Sequence, residues 1–234
     1  MNNIYTSGEY VATNQTWHAE DSAWKAEQIA RIISRNSIHP STITEIGCGA
    51  GVILEELSRK ERLKEVQFTG YDISPQAIEL CRRIEGKKVN FLCKDLLSED
   101  NSSHCDVLLV IDVFEHVPDY LTFLEKCRRK AEFKIYHIPL DIHVSSVLRS
   151  AFVRGRYTLG HLHYFTAESA IATLKDTGHE IIDYFYTNGA LGLFKHHPSI
   201  KRAVANGPRW LSSKFSLPFT ARVFGGYSLL VLTK

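Results

Sequence analysis

Apolar positions along the chain switch repeatedly between a helical and an extended period. From Asp21 onward, Trp24, Ile29, Ile32 and Ile33 recur at helical spacing, predicting an amphipathic helix stopped by Asn36 and the later Pro40. Thr42–Ile46 then reads as a strand running into Gly47-Cys48-Gly49-Ala50-Gly51, with Val52–Lys60 helical behind it. Gln67–Ile73 predicts a second strand, and Ser74-Pro75 opens the next helix, because proline is preorganised for a first helical position. Val89–Cys93 is a third strand. Val107–Ile111 is a fourth, nearly all apolar and so expected to be buried on both faces. Tyr120–Lys130 predicts a helix and Phe133–Ile138 a fifth strand. Strands alternating with helices at this spacing indicate βαβ units and a parallel sheet.

The pattern breaks near Leu140. A basic, histidine-rich segment follows, then a helix over Thr166–Lys175 with Thr166 as N-cap and Gly178 as stop. Two more strands are expected near Glu180–Tyr186 and Tyr227–Thr233. The stretch between them is far too long for a hairpin loop. Within it Pro198–Asn206 reads as a short helix closed by Asn206-Gly207-Pro208, followed by the apolar stripe of Trp210, Leu211 and Phe215 beside Lys214. A length of 234 residues fits one domain with insertions: a single domain over 1–234, an N-terminal lid over 1–36, and insertions over about 140–166 and 188–226. No 18-residue apolar run predicts a spanning helix, and MNNIYTSGEY lacks the basic start and apolar core of a secretory signal. Five cysteines, odd in number and without a CxxC pair, suit reduced thiols, so a cytoplasmic location is expected.

Charge sharpens this picture. The net charge is only +2, modest for a nucleic-acid partner. Yet residues 184–234 hold seven Lys/Arg and no acid, and residues 143–167 hold three Arg and no acid. Removing those ten charges from +2 leaves −8 on the remainder, a sorting that points to an anionic partner.

The glycine run sits at a strand-to-helix turn, where bare main chain turns tightly and a ligand can approach it. Asp72 ends the second strand 21 residues after Gly51, where a carboxylate can take both hydroxyls of a ribose. Asp95 follows the third strand, in reach of an adenine edge. A dinucleotide fingerprint would be G-x-G-x-x-G, but here the third glycine comes one residue early and Glu45 precedes the loop. An acidic lining suits a cationic cofactor better than a pyrophosphate.

With these residues in view, the sequence resembles the class I S-adenosylmethionine-dependent methyltransferases. The likeness lies in EIGCGAG, in Asp72 of YDIS, in Asp95 of KDLL, in Asp112–His116 of IDVFEHV, in HLHYFT at His161–Thr166, and in the final GGYSLLVLTK. It implies an α/β, three-layer Rossmann-like fold whose seven-stranded sheet is mostly parallel with an antiparallel last strand. It further implies S-adenosylmethionine as cofactor. Glu45, Gly47, Cys48 and Gly49 would meet its methionine part and ribose edge, and Asp72 the ribose hydroxyls. Ile73 would lie on the adenine face, Asp95 and Leu96 would read the adenine, and Asp112 and Val113 would pass beneath the methionine chain. Tyr10, Trp17 and His18 stand where a lid would be. The Asn/Asp-Pro-Pro-Tyr motif of members that methylate base or glutamine amines is absent after the fourth strand, which disfavours those substrates.

A hydroxyl acceptor calls for a general base, and His116 and His163 are the candidates, with Asp141 also past a strand end. His143, Arg154, Arg156, Tyr157 and His161 are the candidate acceptor-binding residues. Asp141-x-His143 and His161-x-His163 lack zincin-like spacing, so no metal is expected. The basic insertions predict a small or lipid-linked, anionic acceptor such as a glycan, with peripheral contact to an anionic bilayer as a further reading. Two alternatives remain open: a nicotinamide-dependent oxidoreductase on a similar sheet, and a membrane-associated cofactor-binding module without catalysis.

Overall fold

Strands β1 (Thr42–Ile46), β2 (Gln67–Asp72), β3 (Val89–Cys93), β4 (Cys105–Ile111), β5 (Ala131–Pro139), β6 (Ile181–Thr187) and β7 (Ser228–Thr233) form one sheet. Their order is β3-β2-β1-β4-β5-β7-β6. The first five pair in parallel, while β7 runs antiparallel to both β5 and β6. The structure, a computed structural model, describes residues 19–84, 86, 88–98, 102–192 and 200–234. Tyr10, Trp17 and His18 of the expected lid, and Lys195 of the last insertion, lie outside them.

The helices are α1 (Ser22–Arg35), α2 (Val52–Ser58), α3 (Pro75–Cys81), α4 (Tyr120–Arg128), α5 (Val144–Leu148), α6 (Ala151–Thr158), α7 (Ala167–Asp176), α8 (Gly189–Gly192), α9 (Ile200–Ser213) and α10 (Leu217–Phe224). Alternation in β4 divides the core. Val107, Leu109 and Ile111 join Ile29, Ile32 and Ile33 of α1 and Leu54 and Leu57 of α2 on one face. Leu108 and Val110 join Leu124 of α4 and Leu174 of α7 on the other. Each such fully buried Leu or Ile contributes roughly 1.5–3 kcal/mol, so both faces of the sheet are held and three layers result.

Local chemistry sets the helix starts. Ser74 caps α3 by accepting from the Ala77 N–H, with Pro75 inside the first turn. Thr166 and Ser169 form a capping box on α7, and Gly178 turns the chain out at φ +83°.

The insertion after β5 holds α5 and α6, and the one between β6 and β7 holds α8, α9 and α10. Helix α9 differs from expectation, running through Gly207-Pro208 instead of stopping there. Tertiary anchors override the local stop. Asn206 Nδ2 donates to the Ala190 carbonyl (3.0 Å), and Arg209 donates to the carbonyls of Gly225 and Phe224 (both 2.9 Å). Among the described residues, no helix is long and apolar enough to cross a membrane.

Candidate active site

Parallel strands with a reversal of order leave a crevice at their carboxyl ends, here where β1 lies between β2 and β4. A cavity of about 920 Å³ opens at that point. The turn after β1 forms its floor. Gly47, Gly49 and Gly51 all take positive φ, at +68°, +55° and +76°. A side chain at Gly47 would stand 2.7 Å from Val113, and one at Gly51 would stand 2.6 Å from the Phe91 ring. The alternating left-handed conformation and this close packing require glycine.

The loop is tied to β2. Gly47 and Cys48 N–H groups both donate to the Tyr71 carbonyl (2.8 and 3.1 Å). Asp72 accepts from Gly49 N–H on Oδ2 (3.0 Å) and from Ser74 N–H on Oδ1 (2.8 Å). Burial pushes the Asp72 carboxyl up, and these N–H donors restrain the rise. Glu45, at the end of β1, is 1% exposed, and its Oε2 has no hydrogen-bond partner. Burial, with the Cys81 thiol and Asp72 nearby, drives its carboxyl well above the usual range. Asp95 is exposed and closes a local turn through Leu97 N–H (2.8 Å), while Leu96 is buried.

Asp112 follows the last residue of β4 in a left-handed conformation, φ +54°. Its Oδ1 lies 2.6 Å from His137 Nδ1 and its Oδ2 lies 2.8 Å from Lys25 Nζ. Lys25 also reaches Asp21 (3.0 Å), and His137 Nε2 meets Thr187 Oγ1 (2.9 Å). Burial alone would raise the Asp112 carboxyl, but His137 and Lys25 hold it far below the ordinary range. Burial likewise opposes the Lys25 charge, and the two aspartates outweigh it.

The other end of the cavity is built by the turn Phe114–His116 and the segment before α7. Leu162 and His163 N–H groups donate to the Glu115 carbonyl (2.8 and 3.1 Å), locking the two together. His116 Nδ1 donates to the Gly160 carbonyl (3.1 Å), and His161 Nδ1 to Asp141 Oδ2 (2.7 Å). The Glu115 carboxyl lies near both rings, 1% exposed and with neither oxygen hydrogen-bonded, and burial, with Asp112 nearby, drives it well above the usual range.

All ten residues expected at the cofactor line this one cavity: Glu45, Gly47, Cys48, Gly49, Asp72, Ile73, Asp95, Leu96, Asp112 and Val113. His116, Arg156, Tyr157 and His161 line it too. His163, Arg154 and His143 are not among the lining residues. His163 bonds the Val117 carbonyl (3.0 Å) and packs on Tyr120. His143 caps α5 by accepting from Ser146 N–H, and Arg154 lies on the exposed side of α6. Sequence reasoning missed Lys25, His137 and Glu115. The signals were a histidine inside the apolar run of β5 and a lysine on the first helix, neither readable without the fold.

Residues 44–131 match the family described as a methyltransferase domain. Over 120 residues the chain is 27% identical to a ubiquinone biosynthesis O-methyltransferase of Vibrio cholerae serotype O1, covering 48% of this chain and 47% of that protein. The chain thus spans about half the length of the curated relatives it matches. Among solved structures it is similar to the plantazolicin methyltransferase BpumL in complex with a monoazolic desmethylPZN analog and SAH, at TM-score 0.59 and 20% identity, over 97% of this chain and 88% of that one. It is also similar to the magnesium protoporphyrin IX methyltransferase ChlM of Synechocystis PCC 6803 with bound SAH, at TM-score 0.59 and 14% identity, over 91% and 82%. These two likenesses carry the fold. Residues 44–131 are thus similar to a methyltransferase domain, and the fold around them is that of solved methyltransferases.

Proposed function

We propose that the protein transfers a methyl group from S-adenosylmethionine to an oxygen of a small anionic acceptor, free or carried on a lipid. The observation that carries this reading is the division of one cavity. One end is acidic and glycine-floored, and the other opens beside helices without acidic residues.

The acidic end fits a sulfonium nucleoside. Glu45 Oε2 is a buried acceptor without a partner, suited to a cation's donors. Asp72 is fixed by two main-chain N–H groups, so its remaining lone pairs face ribose hydroxyls without reorganisation. Gly47, Cys48 and Gly49 supply bare main chain beside the methionine part, Ile73, Asp95 and Leu96 border the adenine, and Asp112 and Val113 underlie the methionine chain. S-adenosylmethionine supplies an electrophilic methyl on sulfur. With the methyl taken by the acceptor oxygen and the sulfur leaving as a neutral thioether, a hydroxyl acceptor's proton would pass to His116, which lines this end of the cavity, or to water. Arg156, Tyr157 and His161 would hold the acceptor. His163 would act as a positioning residue, bracing the turn through the Val117 carbonyl.

The helical insertions, which reach the cavity through Arg156 and Tyr157, support an acceptor with an apolar part. Leu148, Val153, Tyr157, Leu211 and Phe219 are exposed on α5, α6, α9 and α10, and Phe215 in the turn between the last two. These helices pack on one another in series, with α5 against both α6 and α10, and α10 against α9. An oxygen acceptor is also what the name of the Vibrio cholerae relative, a ubiquinone biosynthesis O-methyltransferase, describes for that protein.

Labelled methyl transfer across a panel of anionic, neutral and lipid-tailed hydroxyl acceptors tests the reading. Arg156→Ala should raise KM for an anionic acceptor by roughly tenfold or more, the value of a charged hydrogen bond, while affinity for the cofactor changes far less. An equal effect on neutral analogues, or product from no acceptor, would contradict it.

A further inference from the structure

We propose that His161, oriented by Asp141, is the general base of the reaction, its Nε2 taking the proton of a hydroxyl acceptor in place of His116. The assignment rests on the methyl-transfer reading and names the proton acceptor within it.

Among the described residues, two histidines hydrogen-bond a carboxylate: His137 at Asp112 (2.6 Å) and His161 at Asp141 (2.7 Å). A carboxylate only accepts, so in both rings the proton sits on Nδ1 and the basic lone pair on Nε2. They differ in what that Nε2 meets. In His137 it is engaged by the Thr187 hydroxyl (2.9 Å), and the ring is not part of the cavity wall. His161 lines the cavity, and no described residue hydrogen-bonds its Nε2. Glu115 is close by, but neither of its oxygens is hydrogen-bonded. His116 lines the same end, but its Nδ1 faces the neutral Gly160 carbonyl (3.1 Å) where His161 has a carboxylate. A carboxylate on Nδ1 fixes the tautomer and stabilises the imidazolium that forms as the proton arrives.

The surrounding backbone holds the pair in place. Ile142 N–H donates to the Phe165 carbonyl (3.1 Å), joining the segment of Asp141 to that of His161. The Ser146 hydroxyl donates to the Asp141 carbonyl (2.6 Å). The Tyr164 hydroxyl reaches the carbonyls of Phe152 (2.7 Å) and His161 (3.0 Å), tying α6 to the same segment. Helix α6 brings Arg156 and Tyr157 to the cavity wall. A cation that favours an ionised acceptor oxygen and a base that takes its proton thus border one space. Besides Asp141, the titratable groups facing the His161 ring are Glu115 and His116 on the turn after β4 and Tyr164 on its own segment.

The proton balance is simple. As the acceptor oxygen bonds to the methyl carbon and the sulfur departs as a neutral thioether, the O–H proton moves to His161 Nε2. The imidazolium, held by Asp141, then releases that proton to water and the base is restored. His161 is the catalytic residue and Asp141 its positioning residue.

Two measurements on the full chain test the assignment. Diethyl pyrocarbonate, which acylates accessible imidazole nitrogens, should modify His161 well ahead of His137, read by peptide mass spectrometry. A His161 as protected as His137 overturns the proposal without any acceptor. Labelled methyl transfer to 4-hydroxybenzoate and to 4-mercaptobenzoate, whose thiol ionises without help, separates a base from a binding residue. His161→Gln should lower kcat for the hydroxyl by roughly 100-fold or more, with far smaller losses for the thiol and in S-adenosylmethionine affinity. Asp141→Asn removes the charge that favours the imidazolium, so the acid limb of the hydroxyl pH profile should move to lower pH. Equal losses on both acceptors, or a wild-type rate in folded His161→Gln, overturn the base and leave methyl transfer standing. A wild type that does not bind S-adenosylmethionine sinks the methyl-transfer reading and the base with it. Should the cofactor bind and neither probe be methylated, the diethyl pyrocarbonate result decides.

Discussion

At the scale of single residues, Asp112 and His179 show how burial shapes charge. Asp112 adopts a conformation that costs a non-glycine residue roughly 1–2 kcal/mol, and Lys25 and His137 over-determine it. Lys25→Met removes one partner of a largely buried pair and should cost about 3 kcal/mol, read as a lower urea midpoint at neutral pH. An unchanged midpoint would show that His137 suffices. His179 accepts from the Tyr136 hydroxyl (2.6 Å), and burial together with Lys134 pulls it down to about 4. Below its ordinary value of about 6.5, the unfolded chain takes a proton that the folded chain refuses. This contribution is therefore whole above about pH 6.5 and is lost as pH falls toward 4, approaching about 3 kcal/mol. His179→Gln should flatten acid destabilisation across that window in urea melts; an unaltered slope would place the sensitivity elsewhere. Asp112 was legible because it directly follows an apolar strand. Lys25 and His137 were not, since only the pairing of strands and helices brings them to it.

At the scale of elements, alternation and turn chemistry told most of the story. The seven strands and the caps at Ser74 and Thr166 follow from period and from side chains that accept main-chain N–H groups. The helices α5 and α6 were not legible, because they are short and α5 is capped by a histidine, an unusual N-cap. Helix α9 passes Pro208 because Asn206 and Arg209 fasten it to distant carbonyls, a tertiary effect that no local rule contains. The glycine turn gives a sharp test. Gly51→Ala imposes positive φ on alanine and presses a methyl into the Phe91 ring, so it should cost about 2 kcal/mol or more. Adding Phe91→Leu should return part of that loss in thermal melts. No recovery would mean that backbone conformation, not crowding, sets the cost.

At the scale of the molecule, the small net charge conceals a sorting along the chain that the fold turns into a sorting in space. The sequence exposed that asymmetry but not the convergence of residues 115–116 with 160–161, which requires β4 and the segment before α7 to meet. Arg149 follows α5, Arg154 lies on α6, Lys214 in the turn after α9 and Arg222 on α10, in the same helical insertions as the exposed Leu148, Trp210 and Phe215, and Arg222 is paired with Glu168. Each exposed cation beside an anionic bilayer contributes about 1 kcal/mol. Co-sedimentation with liposomes should therefore require anionic lipid and fall as salt rises, and Trp210→Ser with Phe215→Ser should weaken it. Binding indifferent to lipid charge would remove bilayer contact from the account. The central claim is that the acidic, glycine-floored end of the cavity holds S-adenosylmethionine with Asp72 on its ribose. Isothermal titration of S-adenosylmethionine into the wild type and a folded Asp72→Ala variant tests it most directly. The account predicts one-to-one binding that weakens by roughly tenfold to hundredfold in the variant; affinity undiminished by the substitution would contradict it.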